Sequence, residues 1–206
     1  MIGVIDFGSG NTRSVLRALS AEGLEAQLLH RPEEIVEMER LVLPGVGAAG
    51  SAMARLTASG MAPRLRDWAA NGRPLLGICL GAQLLLDASE EDDAGGLGLI
   101  PGVCRRFPPA AAGGPVRIPH IGWNRVLLAA GGFDAYFVHG YWLDPVEADV
   151  VAGWTDVDGF RFPSLLRSGA VVGTQFHPEK SGAAGRALLG AWGSGLLDPV
   201  VVAAWS

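Results

Sequence analysis

Cys79 sits in the run Gly77-Ile78-Cys79-Leu80-Gly81, and far downstream the chain carries His177-Pro178-Glu179. A thiol, an imidazole and a carboxylate are what nucleophilic acyl transfer needs: sulfur to attack, a base to carry the proton, an acid to orient the base. Around Cys79 the sequence reads as a turn between a short buried strand, Pro74 to Ile78, and a helix from Leu80 to Ala88. G-x-C-x-G in that setting is the thiol form of a nucleophile elbow. Its glycines permit a tight turn and leave room for a substrate beside the apex. A helix starting just after the cysteine would also bring backbone N–H groups and a positive dipole end near sulfur, which favours thiolate. If 171–177 is a strand, positions 177 and 179 project to one side, so His177 can act as base and Glu179 as its orienter. Alone, a buried cysteine is usually an inert small hydrophobe. Together, Cys79, His177 and Glu179 make a candidate catalytic triad.

The elements that must hold these groups alternate in the first half. Residues 2–6 read as a strand, and Thr12 to Glu22 as a helix with Val15, Leu16 and Leu19 on one face, closed by Gly23. Leu24 to His30 return as a strand, Pro32 to Met38 form a short helix, and Arg40 to Leu43 a third strand ending at Pro44-Gly45-Val46-Gly47. Met61, Leu65, Trp68 and Ala69 mark an amphipathic helix before the Cys79 strand. This rhythm predicts parallel strands with helices on both faces and chemistry at the strands' carboxyl ends. The second half reads as short strands, Val116–Ile121, Tyr136–Trp142, Val150–Trp154 and Ser164–Arg167, between Pro- and Gly-rich turns. A strand then runs from Val171 to His177, and Ser181 is placed to cap a final helix with Ala187, Leu188, Ala191 and Trp192 inward. With no linker or internal repeat, the expectation is one domain over residues 1–206. It is an α/β, flavodoxin-like, three-layer domain with a mostly parallel central sheet and extra antiparallel strands in the second half.

Composition narrows the function. With a formal charge of −5 the chain lacks the basic stripe of a nucleic-acid surface, and Glu90-Glu91-Asp92-Asp93 reads as a solvated loop. No apolar stretch approaches the roughly twenty residues of a membrane span. Two cysteines, Cys79 and Cys104, and no signal peptide ahead of the first strand point to a cytoplasmic protein. The four histidines form no metal-ligand spacing, and Gly8-Ser9-Gly10 lacks the third glycine of a dinucleotide fingerprint, so no metal and no cofactor is expected.

Placed in order, the motifs resemble the class I (triad) glutamine amidotransferases, and among them the glutaminase subunits of imidazole glycerol phosphate synthase. The carriers are Asp6-Phe7-Gly8-Ser9-Gly10-Asn11, Leu43-Pro44-Gly45-Val46-Gly47, the Cys79 elbow through Gln83, and Gly96-Leu97-Gly98-Leu99-Ile100-Pro101-Gly102. Further on come Pro119-His120-Ile121-Gly122-Trp123-Asn124, Tyr136-Phe137-Val138-His139 and Gln175-Phe176-His177-Pro178-Glu179-Lys180-Ser181. The resemblance implies that Cys79 attacks the carboxamide of L-glutamine, with His177 moving the proton and Glu179 orienting it. It also implies an oxyanion hole from backbone N–H groups near Gly45, Val46 and Leu80, and glutamine contacts from Gly47, Gln83 and His139.

The resemblance spans the sequence as a glutaminase alone, so it implies that the ammonia is used by another protein. The resemblance implies a heterodimer with a (β/α)8-barrel cyclase that takes the ammonia through its interior and makes imidazole glycerol phosphate and AICAR in histidine biosynthesis. Asn11, Trp123, Tyr136 and Lys180 match its interface positions. The chain departs from the family at Ala49, where an aromatic is usual, at Ser51, where an acid is, at Ala82, where methionine is, and at Gly140-Tyr141-Trp142. None of these removes a catalytic group. Two other readings share the chemistry: a subunit feeding a different acceptor, such as a sugar amidine or a specialised metabolite, and a stand-alone γ-glutamyl hydrolase.

Overall fold

The computed structural model describes residues 1–8, 11–108, 118–129 and 131–196. In chain order the first strands are β1 (Ile2–Ile5), β2 (Ala26–Leu29), β3 (Arg40–Gly45) and β4 (Leu75–Cys79). Three short ones follow, β5 (Ala88–Ser89), β6 (Ala94–Gly95) and β7 (Gly102–Arg106). The rest are β8 (His120–Leu127), β9 (Gly132–His139), β10 (Tyr141–Pro145), β11 (Val151–Val157), β12 (Phe160–Ser168) and β13 (Val171–Thr174). The helices are α1 (Thr12–Ala21), α2 (Ala49–Ala58), α3 (Met61–Ala70), α4 (Leu80–Gln83) and α5 (Gly182–Gly193). None of them is long and apolar enough to cross a membrane.

Nine strands form one sheet in the order β2-β1-β3-β4-β13-β12-β11-β8-β9. The first five run parallel and the last four antiparallel. The β2-β1-β3-β4-β13 half has the strand order of a flavodoxin-like sheet. Parallel and antiparallel pairings are balanced, so the antiparallel extension is larger than the sequence led us to expect. Buried residues divide onto two faces by strand alternation. Val4, Val42 and Leu76 pack with Val15 and Leu19 of α1 and Leu188, Leu189 and Trp192 of α5. Leu41, Leu43 and Leu75 pack with Leu56 of α2 and Leu65 and Trp68 of α3.

Three departures from the sequence reading have local causes. The strands around 150–154 and 164–167 are longer and form a hairpin, because Asp158 (φ 51°) and Gly159 (φ 81°) make a two-residue turn between the paired Val157 and Phe160. Asp-Gly is the pair that accepts two successive positive φ values. The segment expected as one strand, Tyr136–Trp142, is cut at Gly140. There the chain leaves the nine-stranded sheet as β9 and enters a four-stranded one, β10-β7-β5-β6, as β10. The elbow helix, expected to reach Ala88, stops after one turn at Gln83. Its following carbonyls are taken by another segment: Leu84 O accepts from Leu97 N, Leu85 O from Leu99 N and Ile100 N, and Leu86 O from Gly98 N. Gly96 is required for that approach, since a Cβ there would lie 2.0 Å from Leu86 O. The sequence reading also missed α2, whose alanine-rich inner face (Ala49, Ala52, Leu56) gives a weak apolar period. The start of the expected Val116–Ile121 strand lies outside the described residues.

Candidate active site

β4 ends on Cys79, and α4 begins with the next residue. The strain of the elbow falls on the candidate nucleophile: Cys79 has φ 52° and ψ −108°, a sparsely populated conformation costing about 1–3 kcal/mol for a residue with a Cβ. The flanking glycines serve proximity rather than dihedral freedom. A Cβ on Gly81 would sit 1.8 Å from Leu43 O, and one on Gly77 would sit 2.7 Å from Gly81 O. These absences let α4 press against β3, whose last residue, Gly45, pairs in register with Cys79.

His177 follows β13, the neighbour of β4 on the other side, and its backbone N–H donates to Tyr136 O at 2.9 Å. The side chains of His177 and Glu179 are both fully buried, with His177 Nδ1 2.7 Å from Glu179 Oε1. A carboxylate only accepts, so Nδ1 carries the hydrogen and Nε2 is left facing Cys79. Burial acts to lower the histidine's pKa, but the Cys79 sulfur and the Glu179 carboxylate on either side of the ring outweigh it and raise it to about 9. Among the described residues Nε2 makes no hydrogen bond, which leaves it available to a reacting group.

Asn11, expected at a partner interface, is buried at 7 % exposure within this chain. Its amide donates to Glu179 Oε1 at 2.6 Å and lies 3.4 Å from His177 Nδ1. Ser181 occupies the N-cap position of α5 but makes no side-chain cap bond. Its hydroxyl donates to His177 O at 2.6 Å and accepts from Tyr136 N at 3.0 Å. Both residues therefore hold the triad segment in place.

Beside Cys79 lies a cavity of about 200 Å³, which brings together Val46, Gly47, Leu80, Gln83 and His139, each singled out from the sequence. Gly45 sits just behind it, where a Cβ would meet Leu80 Cβ at 2.9 Å. The cavity adds Glu91, Val138, Gly140 and Tyr141. Glu91 was read as part of a solvated acidic loop. Its Oε2 instead accepts from Ala49 N at 2.8 Å, which brings the carboxylate to the cavity wall. No sequence signal sets it apart from Glu90, Asp92 and Asp93.

One backbone carbonyl organises the wall. Tyr141 O accepts from Gln83 Nε2 at 3.2 Å and lies 2.6 Å from His139 Nδ1. His139 must therefore carry its hydrogen on Nδ1 and present Nε2 as an acceptor to His120 Nδ1, 2.9 Å away. Burial pushes the pKa of His139 down to about 3, so the ring is neutral. His120 Nε2 in turn lies 2.7 Å from Asn124 Oδ1.

The remaining expected interface residues lie outside the cavity on the β8–β9 face. Trp123 is 57 % exposed, its ring centroid is 6.1 Å from that of Tyr136, and Lys180 Nζ is 5.9 Å from the Tyr136 ring centre. Ile121 is exposed on the same strand face. The patch reaches the active site at Val138, paired with Ile121, whose carbonyl faces the Cys79 sulfur at 3.8 Å. Among the described residues no cluster of three or more His, Cys, Asp or Glu side chains is arranged for a metal ion.

The chain is similar to known proteins over most of its length. Residues 3–190 match the family described as Glutamine amidotransferase class-I. The chain is 46 % identical over 200 residues to the imidazole glycerol phosphate synthase subunit HisH of Streptococcus sanguinis, covering 92 % of this chain and 93 % of that one. It is 44 % identical over 199 residues to the subunit of the same name from Geobacillus kaustophilus, covering 92 % and 94 %. Among solved structures, a crystal structure of a glutamine amidotransferase superposes with a TM-score of 0.76 at 22 % identity, covering 94 % of this chain and 98 % of that one. PurLQS from Thermotoga maritima superposes at 0.67 and 20 % identity, covering 98 % and 96 %.

Proposed function

Since the chain belongs to the class-I glutamine amidotransferases, we propose that it is the glutaminase subunit of an imidazole glycerol phosphate synthase, releasing ammonia from L-glutamine for histidine biosynthesis. The observation that carries the reading is the cavity itself, lined both by a nucleophilic elbow and by acceptors for an ammonium group. Both Gln83 Nε2 hydrogens are spent inside the protein, on Tyr141 O and Gln175 Oε1. Gln83 thus offers the cavity only its carbonyl oxygen. With the Glu91 carboxylate, that makes two acceptors suited to the α-ammonium of an amino acid whose side chain reaches Cys79.

The chemistry then runs in two halves. Cys79 Sγ, its proton already held on His177 Nε2, adds to the carboxamide carbon. Backbone N–H groups of Val46 and Leu80, with the turn at Gly45, take the developing oxyanion. The tetrahedral adduct collapses as His177 protonates the departing nitrogen, giving ammonia and a glutamyl thioester. His177 then takes a proton from water, and hydroxide adds to the thioester carbon. Collapse of that adduct releases glutamate and returns the Cys79 sulfur. Glu179 keeps a hydrogen on Nδ1 throughout, so Nε2 is the nitrogen that gives and takes the proton.

Ammonia is lost to solvent unless an acceptor enzyme is docked. The partner we propose is a cytoplasmic (β/α)8-barrel cyclase seated on the exposed Ile121, Trp123, Tyr136 and Lys180 face, because that face adjoins the site at Val138. Glutamate release is to be measured with the chain alone, with the cyclase, and with the cyclase plus its acceptor nucleotide. Low activity alone and strong stimulation in the ternary mixture are expected. High activity alone, unchanged by the cyclase, would mean a free-standing hydrolase, and stimulation only by another synthase would reassign the acceptor.

A further inference from the structure

We propose that Gln175 is a positioning residue for the nucleophile: its amide N–H supports the Cys79 sulfur, and its carbonyl locks the substrate-facing Gln83. The inference rests on the reading of Cys79 as nucleophile and goes beyond the triad. Thr174 pairs with Ile78 across β13 and β4, so the next residue along each strand, Gln175 and Cys79, comes level at the strand ends. Gln175 is completely buried. A buried carboxamide has donors and an acceptor to satisfy, and here the described partners of its side chain are Gln83 Nε2 at 3.3 Å and Cys79 Sγ at 3.9 Å.

Chemistry fixes which end of each amide points where. Tyr141 O is a backbone carbonyl and only accepts, so Gln83 must turn its nitrogen toward it. That nitrogen's second hydrogen meets Gln175, which must answer with its oxygen. The Gln175 nitrogen is then obliged to face the sulfur. Val138 O lies 3.8 Å from the sulfur. Once sulfur is negative that carbonyl is repulsive, and a neighbouring N–H gains the strength of a charge-assisted bond.

Few other groups do this job. Among the titratable side chains around the sulfur, His177 favours negative charge on it. His139 is neutral, Glu91 across the cavity opposes it, and the buried Cys104 thiol adds nothing, burial pushing its pKa beyond reach. The elbow helix is one turn long, so its macrodipole is small. Gln175 supplies a donor where a longer helix was expected to.

The test is the pH profile of Cys79 alkylation by iodoacetamide, a reagent that needs no glutamine site, with the labelled residue identified by mass spectrometry. Gln175→Met keeps the shape without donor or acceptor. Its alkylation midpoint is expected to move up by about one pH unit, with kcat/KM for glutamine falling about tenfold or more. Gln175→Glu still accepts from Gln83 but cannot donate once ionised, and is expected to shift the midpoint at least as far. An unchanged or lower midpoint in these variants overturns the inference. If Gln175→Met fails to fold because Gln83 is left unpaired, the double variant Gln83→Met/Gln175→Met removes both partners and is read by the same reagent. Failure of the wild-type Cys79 to react with a glutamine-mimicking diazoketone would sink the glutaminase reading separately, while leaving the iodoacetamide comparison intact.

Discussion

Asn11 donates its side-chain amide to Glu179 across 2.6 Å, tying the loop after β1 to the carboxylate bonded to the His177 imidazole, although 168 residues separate the two in sequence. Asn11 does not line the cavity beside Cys79, so on the proposed function its removal should act through the triad alone. For Asn11→Ala we expect kcat for glutamine hydrolysis to fall about tenfold, the size of a hydrogen bond to a charged group, with KM nearly unchanged. A raised KM at constant kcat would show that Asn11 acts on binding instead.

The two buried histidines of the site should bracket a stability maximum. His177 has its pKa raised in the fold from 6.5 to about 9. Its contribution is fully present below pH 6.5 and is lost as pH rises through 9, amounting to about 3 kcal/mol at most. His139 has its pKa lowered to about 3, so below pH 6.5 the unfolded chain binds a proton that the fold refuses, and stability falls on acidification. Urea unfolding from pH 5 to 9.5 should show both limbs. His177→Asn should remove the alkaline limb and leave the acid one.

Replacing Cys79 with glycine should stabilise the protein relative to Cys79→Ala by about 1 kcal/mol, because only glycine is relaxed at this positive φ. That corresponds to a melting temperature about 2–4 °C higher at this chain length. Equal melting temperatures of the two variants would mean that the backbone relaxes once the sulfur is gone.

Glu91→Gln removes the charge facing the cavity but keeps an acceptor for Ala49 N–H. We expect KM for glutamine to rise about tenfold or more, with a smaller change in kcat. A γ-glutamyl substrate lacking the α-amino group should react equally well with both forms. A lower kcat at unchanged KM would place Glu91 in the chemistry rather than in binding.

The triad was legible because its three groups are chemically distinctive and its elbow has glycines at spacings the turn requires. Gln83 and His139 were legible only through the resemblance. Glu91 was not, since four consecutive acids look equally solvated until Ala49 singles one out. The one-turn elbow helix was hidden for a related reason: Leu84, Leu85 and Leu86 suit a helix, and what ends it is the distant 97–100 segment claiming their carbonyls. The Asp158-Gly159 hairpin, by contrast, was present in the sequence as a turn signal and was passed over. The bond from Asn11 to Glu179 was not legible because it is set by tertiary approach, not by spacing.

Tyr141 illustrates a kind of instruction that residue identity does not record. Its carbonyl orients Gln83 and His139 together, while its phenol points elsewhere and receives a hydrogen bond from Arg106 at 3.1 Å. Any residue able to follow Gly140 into β10 would place the same carbonyl at the same point. A change of side chain at position 141 acts on the contact with Arg106, whereas a change that reroutes the main chain, such as a deletion beside Gly140 or a proline within the turn, acts on Gln83 and His139 together.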